Sequence, residues 1–380
     1  MKFKSFFMAG FECATGYNSG REWIDQISAT QHDLRLDEDY VLMTQIGMRT
    51  AREGIRWPLI DRGGVLDLQP VVKVLEAANR AQVELILDLF HYGYPPDLDF
   101  FSPAFGDRFE RYCEAVAQTV KRVARTPIHF TPVNEPSYYA WAGGEAARFA
   151  PFCHGRAFEM KVALISAAIR GINAIRSVIP GARIINVDPI CRVAAPEGDD
   201  SRDEDVQFFN DVAVFECWDM LAGRIHPELG GSPAHLDVVG INYYWTNQWE
   251  IDRPEEPLAM DDERLWPVRD LVRSVWHRYR HPMIISETSH VEHERAPWLR
   301  YMVDEIEAVR LEGIPLNGVC IYPILGMPEW HEQDIWVRMG MWDCIANEEG
   351  DLERVPHEPL FTEYHDATRR FKLLEQVHLC

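Results

Sequence analysis

The stretch LQPVVKVLEAANRAQVELILDLFH, residues 68–91, joins a helical pattern to a strand pattern. Within 68–81 the apolar residues recur at steps of three and four, as they do on a helix that lies against a sheet. Residues 83–91 form a short apolar run of the kind found in buried strands. The stretch therefore predicts a helix followed by a strand, which is the repeating unit of a parallel sheet.

The same alternation continues along the chain. Strands are predicted at residues 3–12, 48–57, 83–91, 127–135, 182–188, 236–244, 282–287 and 317–324, and helical patterns between them include 68–81, 105–124, 155–178 and 299–313. Eight alternating units predict an α/β protein with a (β/α)₈ barrel, and the absence of GxGxxG after the first strand disfavours an open dinucleotide-binding sheet. No flexible linker interrupts the pattern, so we expect residues 1–380 to form a single domain.

The composition excludes several classes of partner. The formal net charge is −22, with 60 acidic and 38 basic residues and no basic block, which argues against nucleic acid and anionic membranes. No apolar run reaches membrane-spanning length. The eight cysteines are scattered without a CxxC pair, which favours reduced thiols over disulfides or a zinc site. We therefore expect a cytoplasmic protein.

Polar residues cluster at the predicted strand ends, which in a barrel converge on the face that carries the chemistry. They are Arg52 within the second strand, His91 ending the third, Asn134 and Glu135 ending the fourth, Asn242 to Tyr244 ending the sixth and Glu287 ending the seventh. Two carboxylates facing each other across a cleft are the equipment of glycosidic bond cleavage, provided that their environments hold them in different protonation states. Arg52 and Tyr244 would both favour an ionised Glu287.

Taken in order, these segments resemble the motifs of glycoside hydrolase family 1, the β-glucosidase group of the retaining (β/α)₈ glycosidases. The matching segments are AREGIRWPLI (51–60), DLFHYGYP (88–95), TPVNEP (131–136), DVVGINYYW (237–245), MIISET (283–288) and YPILGMPEW (322–330). Any one of them is a weak signal, but their common order makes the resemblance strong.

The resemblance implies roles for individual residues. Glu287 falls on the nucleophile and Glu135 on the acid/base, while Asn134 falls on the partner of the sugar's 2-hydroxyl. Arg52 and Tyr244 match the residues that contact the nucleophile. The residues matching sugar-binding positions are His91, Tyr322, Glu329 and Trp330. The implied partner is a small carbohydrate or glycoside, with no cofactor and no metal.

The departures from the family pattern bear on the identity of the sugar. Thr-Ser follows Glu287 where the family has Asn-Gly, and Tyr322 stands where the family has a tryptophan under the sugar. In FECATGYNSG (11–20) the family has a sugar-binding glutamine, for which Glu12 is a candidate substitute. The cleavage machinery itself is unchanged.

Other interpretations remain open for the same residues. Taken singly, Glu135 and Glu287 could be rim carboxylates paired with arginines, and of the neighbours Tyr243 and Tyr244 only one can face inward. SHVEHE (289–294) has two histidines but lacks a helical HExxH frame, so it is a poor zinc signal.

Three rival functions remain at this stage. A 6-phospho-β-glycosidase would want basic residues after Glu329 and Trp330, where the chain offers Arg338 among several acids. A non-catalytic carbohydrate-binding barrel would lack one of the two acids. A metal-dependent barrel hydrolase would carry HxH on the first strand, which FKSFFMAGFE does not.

Overall fold

Eight parallel strands form the centre of the computed structural model, which describes residues 2–377. They are β1 (Phe7–Gly10), β2 (Thr50–Gly54), β3 (Glu84–Asp88), β4 (Ile128–Thr131), β5 (Ile185–Pro189), β6 (Val238–Asn242), β7 (Met283–Thr288) and β8 (Leu316–Ile321). Hydrogen bonding orders them β4-β3-β2-β1-β8-β7-β6-β5. Parallel bridges from Phe130 to Ile184 and from Asn134 to Val187 join β4 to β5 and close the barrel.

Helices surround the barrel. They are α1 (His32–Gln45), α2 (Gln69–Ala81), α3 (Pro103–Val123), α4 (Ala157–Val178), α5 (Glu216–Leu221), α6 (Val268–Tyr279), α7 (Arg295–Leu311) and α8 (Glu358–Val377). In α3 the buried face follows the helical period through Phe105, Phe109, Tyr112, Val116 and Val120. No helix within residues 2–377 has the length and apolarity needed to cross a bilayer.

Short elements occupy the connections. Four are α-helical, Gln26–Ala29, Trp57–Ile60, Pro136–Gly144 and Asp203–Asp211, and 3₁₀ turns lie at Asp200–Arg202, Ala213–Phe215, Pro227–Leu229, Pro233–His235 and Glu292–Glu294. Two-stranded pairs join Thr15–Tyr17 to Trp23–Asp25, Asp61–Arg62 to Val65–Leu66, Arg192–Ala194 to Gln248–Glu250, Met327–Pro328 to Trp336–Val337, and Trp342–Ala346 to Leu352–Pro356.

The barrel predicted from the alternating pattern is confirmed, but six of the eight strands end earlier than predicted, and three of these early ends change where candidate site residues lie. β4 stops at Thr131 and not at Glu135, because Pro132 has no N–H to donate to a ladder. Similarly, β3 ends at Asp88 before His91, and β6 ends at Asn242 before Tyr244. The expectation that Glu135 and His91 are the last residues of their strands is therefore wrong; both lie in the loops that follow.

Side chains pointing inward fill the barrel and leave its top polar. Its apolar filling includes Met8, Ile86, Val187, Ile284, Cys320 and Tyr322. Gly10 at the end of β1 is needed for this packing, because a Cβ there would lie 2.1 Å from the Tyr322 ring. Above this layer the inward-facing residue of β2 is the buried Arg52.

Candidate active site

Arg52 is the centre of a buried polar network. Its Nη2 lies 2.6 Å from Asp88 Oδ2 on β3 and 2.6 Å from Asn134 Oδ1 in the loop after β4, while Nη1 donates to Glu287 on β7. Although burial opposes it, the charges of Glu287 and Asp88 raise the pKa of Arg52 well above its ordinary value. A permanent cation therefore ties three barrel segments together at the top of the barrel.

Glu287 reaches Arg52 because β7 contains a bulge. In the pairing with β6, Ile241 faces Ile285 but Asn242 faces Glu287, so β7 has one extra residue. Such a bulge bends the strand and redirects side chains. Arg52 then donates to Oε1 of Glu287, and the hydroxyl of Tyr244 donates to Oε2 over 2.9 Å. Donors on both oxygens stabilise the ionised carboxylate.

Glu135 is held in a strained backbone conformation. Its φ of 45° is in the left-handed region, which is unfavourable for a residue with a Cβ and especially before proline. Strand β5 holds this turn in place, since Glu135 N donates to Val187 O over 3.1 Å. Asp188 Oδ1 accepts from both the backbone N and the Oγ of Ser137 at the start of helix Pro136–Gly144. Backbone strain that the surroundings maintain in this way is a mark of functional sites.

The carboxyl group of Glu135 lies in a different environment from that of Glu287. Burial raises the pKa of Glu135 to about 8, and the neighbouring charge of Glu287 acts in the same direction. Two hydrogen bonds act in the opposite direction, one from Asn242 Nδ2 to Oε1 at 2.8 Å and one from the Tyr92 hydroxyl to Oε2. At neutral pH Glu135 is therefore mostly protonated, whereas Glu287 is paired with a cation.

A short series of contacts links the two acids. Asn242 Nδ2, which binds Glu135, also lies 3.5 Å from Asn134 Oδ1. That oxygen in turn accepts from Arg52, which binds Glu287. The structure thus brings together the five residues proposed for catalysis from the sequence, namely Arg52, Asn134, Glu135, Tyr244 and Glu287.

The residues proposed to bind sugar fall into two groups. His91 lies in the network, with Nδ1 3.0 Å from Asp88 Oδ2 and Nε2 3.2 Å from Asn134 Nδ2. The indole of Trp330 lies 5.6 Å from the Tyr92 ring, and its buried Nε1 has no hydrogen-bond partner among the residues described. A donor of this kind suits a substrate hydroxyl.

Tyr322 and Glu329 are engaged elsewhere. The Tyr322 ring is only 1% exposed and lies under Arg52, whose Cζ is 5.1 Å from the ring centre. Glu329 Oε2 accepts from the backbone N–H groups of His331 and Glu332 in its own loop. Glu12, the candidate substitute for a sugar-binding glutamine, is buried with Oε1 3.8 Å from His91 Nε2.

Of the two neighbouring tyrosines, Tyr243 points away from the acids. Its ring stacks on Trp298 with 5.9 Å between centroids, while Tyr244 contacts Glu287. In the loop after β7, His290 stacks on Trp245 at 4.0 Å, whereas the side chain of His293 is 88% exposed. The two histidines of SHVEHE therefore have separate surroundings.

Cys13, Asp88 and His91 place a thiol, a carboxylate and an imidazole within 4.8 Å of one another, a grouping that could hold a metal ion. Burial raises the pKa of Cys13 to about 11, however, and metal binding requires the thiolate. Asp88 Oδ2 is also bound to cationic Arg52. The group fits a hydrogen-bonded network better, with Cys13 Sγ 3.2 Å from His91 Nδ1.

Sequence reasoning missed three residues of the network, Tyr92, Asp88 and Asn242, as site residues. Asp88 could have been found, because alternation along β3 places it on the same face as the inward-pointing Ile86. Asn242 was noted only as a strand end. Nothing in the sequence pattern indicated that Tyr92 is a site residue, because its position depends on a left-handed backbone with a φ of 64°.

One comparison with known proteins identifies a family, and another identifies the fold. A family model described as glycosyl hydrolase family 1 matches residues 16–218. A search of curated protein sequences found no match. A solved β-glucosidase from Thermotoga maritima in complex with glucoimidazole is 14% identical with a TM-score of 0.75, over 96% of this chain and 97% of that one.

Two further structures of β-glucosidase from the same organism are similar. The complex with noeuromycin is 16% identical with a TM-score of 0.73, and the comparison covers 96% of this chain and 97% of that one. A family 1 β-glucosidase is 14% identical with a TM-score of 0.75, over 96% and 98% of the two chains. At these identities the likeness establishes the barrel fold, which extends over nearly the whole chain.

Proposed function

Because the chain belongs to glycosyl hydrolase family 1 and is a glycoside hydrolase, we propose that it is a retaining exo-β-glycosidase that releases a terminal β-linked sugar by double displacement. The observation that carries the proposal is the contrast between the two acids. Glu135 is a buried acid with a pKa of about 8, and Glu287 is a carboxylate bound by Arg52 and Tyr244. Glycosidic cleavage requires two such carboxyl groups, one to donate a proton and one to attack the sugar.

In the first step Glu287 attacks the anomeric carbon while Glu135 gives its proton to the departing oxygen. Arg52 donates to one oxygen of Glu287 and orients it, and Tyr244 donates to the second oxygen. As the substrate's C–O bond breaks, a glycosyl ester with Glu287 forms. In the second step Glu135, now ionised, removes a proton from water, which displaces Glu287 and releases the sugar with its configuration retained.

The remaining groups of the network bind and orient the sugar in this proposal. Asn134 supplies a hydrogen bond to the 2-hydroxyl, a contact that strengthens near the oxocarbenium-like transition state. His91 and the unpartnered Nε1 of Trp330 bind other hydroxyls. Tyr322 lies under Arg52 and supports the network from below. The reaction needs no cofactor.

The charges around the site favour an unphosphorylated sugar over a sugar 6-phosphate. Three acids lie around Arg52 and His91: Asp88 and Glu287 bind Arg52 directly, and Glu12, whose pKa is raised by burial, lies 3.8 Å from His91. A phosphate dianion needs cationic partners, and Arg52 is already paired with two of these acids.

We expect nitrophenyl β-glucoside or β-galactoside to be hydrolysed with kcat/KM at least about 10²-fold above that of the matching 6-phosphate, because a phosphate lacks free cationic partners in this site. Nitrophenyl β-fucoside is assayed beside them. The fucoside has no 6-hydroxyl and serves as an internal reference. Rates of nitrophenol release across the panel give the result. Turnover confined to the phosphorylated compounds would establish the 6-phospho-β-glycosidase instead, and binding without turnover would indicate a carbohydrate-binding barrel.

A further inference from the structure

Tyr92 contacts the acid Glu135 but has no part in the mechanism described above. Its hydroxyl donates to Glu135 Oε2, and its side chain is almost completely buried. The same hydroxyl lies 3.4 Å from Asn134 Nδ2, which can donate to it. The phenol is therefore part of the network that joins the two acids.

The position of the Tyr92 ring is tightly constrained. Its backbone has a φ of 64°, a left-handed conformation that is unfavourable for a residue other than glycine. Five aromatic rings surround it, with centroid distances of 4.5 Å to His91, 5.4 Å to Tyr138, Tyr139 and Phe149, and 5.6 Å to Trp330. This packing fixes the position of the hydroxyl oxygen beside Oε2 of Glu135.

The contacts of Asn242 determine which oxygen of Glu135 carries the proton. Asn242 Nδ2 donates to Oε1, and its Oδ1 accepts from Ser286 Oγ over 2.7 Å, so the amide orientation is fixed. Oε1 therefore always faces a donor. A phenol can either donate or accept, so the proton of neutral Glu135 belongs on Oε2, beside Tyr92.

We propose that Tyr92 is a positioning residue that adjusts the proton affinity of Glu135 in both halves of the reaction. This rests on the proposed function of Glu135 as acid and base. When the Oε2 proton moves to the departing oxygen, the Tyr92 hydroxyl rotates and donates to the ionised carboxylate. When water attacks the glycosyl ester, its proton goes to Oε2, the ester bond to Glu287 breaks, and Tyr92 becomes an acceptor again.

The substitution Tyr92→Phe keeps the ring and removes the hydroxyl. A hydrogen bond to the ionised form lowers a carboxyl pKa, so its loss should raise the pKa of Glu135. We expect the alkaline limb of kcat/KM to move upward by about one pH unit, the size expected for a charge-assisted bond.

The second step should respond in the same direction. With an activated leaving group, release from the glycosyl ester limits kcat, and this step needs ionised Glu135. We expect the acid limb of the kcat profile to move to higher pH by about one unit as well. At pH values below this limb, kcat should be about tenfold lower than in the wild type. A purely structural effect would lower rates without moving either limb.

Tyr139→Phe is the matched control. Tyr139 is buried and stacks on Tyr92, but its hydroxyl donates to Ala150 O over 2.7 Å and not to a carboxylate. Both limbs should stay in place in this variant. A second variant carries 3-fluorotyrosine at position 92, which keeps the hydroxyl but makes it a stronger hydrogen-bond donor. Its alkaline limb should therefore move to lower pH. This variant tests the role of the hydroxyl even if Tyr92→Phe folds poorly.

Unchanged limbs in both position-92 variants would overturn the role of Tyr92. If Glu135→Ala still abolished the alkaline limb in that case, the assignment of Glu135 would stand on its own. If the alkaline limb of the wild type were still present in Glu135→Ala, Glu135 would not be the acid, and the proposed function on which the inference rests would be wrong.

Discussion

Glu287→Ala should lower kcat/KM by at least about 10⁴-fold, because removal of a covalent nucleophile leaves only binding and the remaining charges. Azide should restore part of the lost turnover with an activated β-glycoside. The small anion enters the space left by the side chain and attacks the anomeric carbon from that side, so the product should be the α-glycosyl azide. Nuclear magnetic resonance of the product identifies the anomer.

Glu84→Ala is the control for the loss of a buried carboxylate. Glu84 lies at the start of β3, at the other end of the barrel, where Oε2 accepts from Thr50 Oγ1 and from Lys4 N. This variant should be less stable but should keep its activity when folded. Full activity in Glu287→Ala, or a β-glycosyl azide from it, would count against Glu287 as the nucleophile.

Glu135→Ala should show an effect that depends on the leaving group. For alkyl glycosides the loss of proton donation should reduce kcat/KM by about 10²–10⁴-fold, the usual contribution of a general acid. For dinitrophenyl glycosides, whose leaving group needs no proton, the first step should be nearly unaffected. Azide should accelerate the second step of this variant and give the β-glycosyl azide, since it attacks from the face where Glu135 stood.

The pH dependence provides a second readout of the same variant. Burial raises the pKa of Glu135 to about 8, and the first step needs the protonated form. Wild-type kcat/KM should therefore fall as the pH rises through about 8, and this limb should be missing in Glu135→Ala. An equal loss for every leaving group, with the limb preserved, would show that another residue is the acid.

The barrel could be predicted because it depends on periodicity, and the site residues could be proposed because their motifs resemble those of a known family. Alternation along β2 places Arg52 inside and Glu53 outside, where Glu53 contacts His32 Nε2 at 3.0 Å. The eight-fold alternation of strand and helix determines the closed sheet. The closed sheet follows from the order of apolar and polar residues, whereas the roles of Arg52 and the two acids were implied by the resemblance to the family motifs.

The rest depends on local departures from regular geometry. The bulge that aligns Glu287 with Asn242, and the left-handed backbone of Glu135 and Tyr92, add no periodic signal. Glu329 was expected to bind the sugar, and its carboxylate accepts hydrogen bonds from two backbone N–H groups in its own turn. Contacts of this kind depend on three-dimensional packing.

The central claim is that Glu287 becomes covalently bound to the sugar. Incubation with an activated 2-deoxy-2-fluoro β-glycoside should trap this ester, because fluorine at C2 slows both steps and a good leaving group preserves the first. Proteolysis and mass spectrometry then locate the added mass. We expect one fluoroglycosyl group per chain, on the peptide that contains Glu287 and on that residue. A label on a different residue, or turnover of the reagent without any covalent adduct, would contradict the claim.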